Sequence, residues 1–151
     1  MSQLSEIREA VADRIRSGGI DSSVNVFAYP PDSPKLPAVV IEPVGDVYVE
    51  YHNTMGPVRL QTVHLIAHVY VPVGGSAQSA QMFMDELLSS GTGEDVSIAD
   101  AITGNNLTIG SGVGYMLAGD AENWQLGELA RTPNTPVVAA DIPVTVGLNR
   151  S

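Results

Sequence analysis

The strongest constraint on the fold is an alternation between Val58 and Val73. Val63, Leu65, Ala67, Val69 and Val71 fill the odd positions, whereas Thr62, His64, His68 and Tyr70 mark the even ones. Side chains of a strand point to opposite faces in turn, so a period of two predicts one long strand with an apolar core face. The even face, which also holds Leu60 and Ile66, is too polar for core and too apolar for bare solvent.

Two helices are expected on either side of this strand. Leu4, Ile7, Val11 and Ile15 recur at spacings of three and four, predicting an amphipathic helix over about 3–16 that Gly18-Gly19 ends. Glu6 and Glu9 near its start and Arg14 and Arg16 near its end suit the helix dipole. Gly74-Gly75-Ser76 breaks the long strand, and Ala80, Phe83, Met84, Leu87 and Leu88 form the stripe of a second helix over about 76–90. Ser97-Ile98-Ala99-Asp100 has the form of a capping box before a brief helical turn.

The remaining segments read as strands: Val24–Tyr29, Ala38–Ile41 stopped at Pro43, Asp46–His52, Leu107–Ile109, Val113–Ala118, Asn123–Leu126 and Val137–Val146. Tyr29 to Pro37 holds four prolines in nine residues and must be a loop. The order predicts an α+β fold: a single domain over 1–151, with a mixed, mostly antiparallel β-sheet packed against two main α-helices and a short third helical turn. A chain of 151 residues without cysteine can be held by its core alone, and every thiolate site is excluded.

Charge is distributed unevenly. Residues 1–59 hold 8 acids and 5 bases, 60–130 hold 8 acids and no base, and 131–151 hold 1 acid and 2 bases, summing to −10. Gripping nucleic acid requires clustered bases that displace condensed counterions, so a nucleic-acid clamp is not expected. Pro, Gly or a charge interrupts every apolar run short of a membrane span, and the first residues do not resemble a signal peptide. The expectation is a protein made in a cytoplasm, with no membrane partner.

Catalytic patterns are absent from the sequence. His64 and His68, four apart on a strand, stand ~13 Å from each other and cannot chelate one ion together. Gly110-Ser111-Gly112-Val113-Gly114 is followed by Tyr115 where a dinucleotide fingerprint needs glycine, and by a strand where it needs a helix. No G-x-S-x-G elbow occurs. Paired carboxylates such as Asp85-Glu86 and Glu94-Asp95 lie in polar surroundings and read as solvated acids. No enzyme activity, cofactor or metal is therefore expected.

The order of features resembles the tail terminator, or tail completion, proteins of long-tailed bacteriophages of the lambda-like, siphophage type. The resemblance rests on the helix Leu4–Ile15, the segment Val24 to Pro30, the Pro-bounded strand Lys35 to Pro43, the long strand Val58–Val73, the helix Ser76–Leu88 and the closing strand Val137–Val146. It implies a homo-hexameric ring of the virion, assembled in the host cytoplasm. Such a ring seats on the last ring of the tail tube protein, stops its polymerisation and offers a surface to the head-tail connector or stopper protein. Phage DNA passes through it without specific binding.

Ring closure needs one patch to meet a different patch on the neighbour. Thr62, His64, Ile66, His68 and Tyr70, with the hairpin in the 50s, are the expected subunit interface. Six copies at −10 carry a formal −60, and an acidic channel lets DNA slide. Glu94, Asp95 and Asp100 are the expected lumen-facing acids. The competing readings are another neck component, such as a stopper or minor tail protein, and a small-ligand module built on the Gly-rich loops around Trp124, which requires a concave apolar pocket.

Overall fold

The computed structural model describes residues 3–52, 59–89, 97–109, 112–129 and 132–150. Its elements in chain order are α1 (Gln3–Ser17), β1 (Asn25–Phe27), β2 (Ala38–Pro43), β3 (Val49–His52), β4 (Arg59–Pro72), α2 (Ala77–Leu88), α3 (Ile98–Ile102), β5 (Gly104–Ile109), β6 (Gly112–Ala118), β7 (Glu122–Leu129) and β8 (Thr132–Arg150). The expected α+β architecture is present: one eight-stranded sheet, antiparallel except for β1 against β2, with two main helices and a short third.

Two long strands form the spine. β4 pairs with β8 along its whole length, from Arg59 opposite Arg150 to Pro72 opposite Val137. Each spine strand then shares its other edge between two shorter ones. On β4, β2 takes Leu65–Tyr70 and β3 takes Leu60–Val63. On β8, β6 takes Val144–Asn149 and β7 takes Thr132–Asp141. β1 lies outside β2, and β5 outside β6.

The alternation in β4 holds throughout its described centre. Val63, Leu65, Ala67, Val69 and Val71 are buried, and their partners Val146, Val144, Ile142, Ala140 and Val138 on β8 are buried on the same face. Ile7, Val11 and Ile15 of α1, Ala80, Met84 and Leu87 of α2, and Ile98 and Ile102 of α3 close over that face as one core. Both later helices are capped, α3 as its sequence predicts: Ser76 Oγ accepts from the Ser79 amide, and Ser97 Oγ from that of Asp100. Gly18 ends α1 against α3, where an added Cβ would overlap that of Ala101.

Strand bounds differ from expectation at several elements, β1 running only over Asn25–Phe27, β5 starting at Gly104 and β7 spanning Glu122–Leu129, and two differences have a clear cause. The segment expected to run as one strand over Asp46–His52 pairs only from Val49. His64 accepts from the Val44 amide through its carbonyl and donates its own amide to Tyr48 O, so residues 45–47 loop out between β2 and β3. The closing strand, expected over Val137–Val146, runs from Thr132 to Arg150 through Pro133, Pro136 and Pro143. Pro143 O accepts from Gly119 N, which turns that residue's missing amide hydrogen toward the gap between β6 and β7, where no ladder bond is lost.

Arginines stitch the helices to the sheet. Arg8 is 8% exposed. Its Nε donates to Ala28 O at 2.8 Å, its Nη2 to Ile41 O at 2.6 Å, and its guanidinium lies 4.0 Å from the centre of the Tyr29 ring. Arg14 Nε donates to Ile102 O, an end carbonyl of α3, and Arg16 Nη2 donates to Val26 O of β1.

Candidate functional site

The helices pack on one face of the sheet, and among the described residues no helix packs on the other. The residues expected at an interface, Thr62, His64, Ile66, His68 and Tyr70, all lie on this helix-free face, and each is half-buried. Their register partners on β8 are Gly147, Thr145, Pro143, Asp141 and Ala139. In an antiparallel ladder these alternate positions are the non-hydrogen-bonded pairs, which bring opposite side chains closest.

His68 organises the centre of the face. Nδ1 lies 2.6 Å from Oδ1 of Asp141 on β8, and Nε2 lies 2.9 Å from Oε2 of Glu42 on β2. Asn123 Nδ2 donates to the second Asp141 oxygen at 2.9 Å. That contact uses the irregular start of β7, where Asn123 adopts a φ of 55°, a left-handed conformation that asparagine tolerates. Tyr70 stacks beside His68 with ring centres 6.3 Å apart. Burial, then the charges of Glu42 and Asp141, push the Tyr70 phenol above its ordinary range. Further along β4, His64 Nε2 lies 2.9 Å from Oε1 of Glu50 on β3.

This arrangement binds strands together more readily than it performs chemistry. Both ring nitrogens of His68 are directed at carboxylates, which leaves neither to take a proton from a substrate. Glu42 and Asp141 sit on opposite edges of the imidazole, so the three groups do not converge on one point. Among the described residues no cluster of three or more His, Asp or Glu is placed to hold a metal ion.

The charge of the face is one-sided. Glu42, Glu50, Glu122 and Asp141 occupy its register positions, and none of its positions on β1 to β8 is Lys or Arg. An apolar strip accompanies these acids: Ile66 stands opposite Pro143, Leu117 opposite Thr145 and Tyr115 opposite Gly147. Leu117 is 45% exposed.

Of the acids expected in a channel, Asp100 is exposed on α3, which packs on the helix-bearing side. Glu94 and Asp95 lie outside the described residues. A concavity of about 430 Å³ opens on the helix-bearing side, lined by Val71, Val73, Ala80 and Phe83 together with Ser76 and Ser79 of α2's start. Trp124 is not part of it and stands exposed on β7. Among the described residues no helix is long and apolar enough to cross a membrane.

The carboxylate partners of His68 were not readable from the chain. Glu42 lies 26 residues before it, and Asp141 lies 73 after it. Only the register of three adjacent strands brings them together. Compared with known proteins, the chain matches no family model and no curated protein at a significant level.

Proposed function

We propose that this chain is the subunit of a phage tail terminator ring, which caps the head-proximal end of the tail tube, stops its growth and receives the head connector. The reading is carried by the helix-free sheet face, which holds four carboxylates and no Lys or Arg at its register positions. A wall of that kind repels the phosphate backbone, so a duplex in contact with it is not held by counterion release. The order of helix, short strands, long strand, helix and closing strand supports the same reading.

In this proposal the face lines the channel. That exchanges two roles expected from the sequence: Thr62, His64, Ile66, His68 and Tyr70 belong to the channel wall instead of the subunit contact, and Asp100 belongs to the outer, helix-bearing side. The test is the native mass of the purified protein with and without tail tube protein. A rise from 15.9 kDa to six times that value, alone or on the tube, is expected. A protein that stays monomeric and leaves tube growth unchanged overturns the proposal.

A further inference from the structure

Resting on the ring reading above, we infer that neighbouring copies join edge to edge, with β5 of one copy adding to β3 of the next to make one sheet continuous around the ring. One row of register partners crosses the molecule from Tyr51 to Gln61, Leu148, Gly114 and Leu107. Its two ends are β3 and β5, the outermost strands among the described residues at this end of the spine. Four antiparallel steps separate them, so both strands run in the same direction. Copies set side by side therefore present β5 to β3 as a parallel pair.

The backbone of β3 is turned outward for this. His64 N donates to Tyr48 O, so the even positions of β3 direct their amides at β4, and Val49 and Tyr51 direct theirs away from it. Among the described residues β3 pairs only with β4, and β5 only with β6. Exposed edges are ordinarily protected by Pro, Lys, charges or bulges. The regular run Leu107-Thr108-Ile109 of β5 has no charge and no proline; β3 has neither Pro nor Lys, and its one carboxylate, Glu50, is engaged by His64 of β4. The other edges are interrupted: Arg16 occupies the Val26 carbonyl of β1, and the pairing of β7 shifts register near both of its ends.

The dimensions fit a channel. Five strands per copy span this end of the sheet. At a spacing of ~4.8 Å, thirty strands from six copies close to a circle about 145 Å around and about 45 Å across at the backbone. Helices need the longer outer arc, so curvature turns the helix-free face inward.

The chain has no cysteine, which makes cross-linking unambiguous. Parallel neighbours at ~4.8 Å lie within the Cα range of a disulfide. Tyr51→Cys is combined in turn with Asn105→Cys, Leu107→Cys or Ile109→Cys, covering the register slip that strand tilt introduces, and each variant is weighed natively before mild oxidation. On a denaturing gel run without reductant at least one pair should give a ladder that ends at six copies and collapses on reduction, while each single variant stops at two. Tyr51→Pro should abolish assembly with the circular dichroism of the folded chain unchanged, and Tyr51→Phe should assemble. A native hexamer from which no pair gives a ladder overturns the edge contact while leaving the ring intact. A protein that never assembles, on the tube or off it, overturns both.

Discussion

His68 Nδ1 lies 2.6 Å from Oδ1 of Asp141, its directly opposite neighbour across the spine of the sheet. Since the same ring also meets Glu42 at 2.9 Å, three strands are tied at one point. Hydrogen bonds to charged groups contribute about 1.5–3 kcal/mol. Asp141→Ala should therefore lower the unfolding free energy by about 2 kcal/mol, and His68→Ala by a similar amount. The double variant should cost less than the sum, because each single change already removes the shared contact. Urea titrations of the four proteins check this, and strict additivity would show that the contact contributes nothing.

Arg8 is the second site where a single side chain joins distant segments. Its guanidinium satisfies the carbonyls of Ala28 and Ile41 at once while covering the Tyr29 ring. Lysine has no fork and cannot reproduce two diverging bonds. Arg8→Met should cost about 3 kcal/mol, since it leaves two sheltered carbonyls unpaired. Arg8→Lys should recover only part of that loss. Thermal melts of the two variants decide it: a lysine variant as stable as the parent would mean that charge alone matters there.

The layers were legible from periodicity. The odd apolar positions of β4 and the three- and four-residue spacings of α1 and α2 predict which faces are buried, because burial on each element depends only on its own period. What joins the layers was not legible. Arg8 sits among ordinary helix residues, and nothing local marks it as buried; its partners lie 20 and 33 residues away. The length of β8 was hidden by its prolines, whose acceptability depends on which side of the strand lacks a partner. The His68 cluster was hidden for a related reason, since it exists only once β2, β4 and β8 are in register.

Gly147 offers a test of that register on the helix-free face. It stands between Thr62 on β4 and Tyr115 on β6, and a Cβ added there would overlap the Tyr115 ring. Gly147→Ala should destabilise the protein by about 1–3 kcal/mol, the usual cost of overpacking. Tyr115→Ala alone should be mild, as the ring is 37% exposed. Placed together, the second change should recover most of the loss caused by the first. If Gly147→Ala is equally damaging in both backgrounds, the Tyr115 ring does not lie over Gly147.

Tyr70 gives the face a signature in alkaline solution. Burial and the nearby charges of Glu42 and Asp141 raise its phenol above the ordinary value of 10.0. An unfolded chain then loses this proton at a lower pH than the folded one does. Below about pH 10 both states hold the proton and the effect on stability is constant. Above it the unfolded state alone is ionised, so stability falls as pH rises toward the folded value. Tyr70→Phe removes this contribution and should gain stability relative to the parent as pH rises beyond 10, with the gap constant below. Urea midpoints measured from pH 8 to about 11 test the sign. Parallel curves for the two proteins across that window would mean that Tyr70 is not sheltered beside these carboxylates.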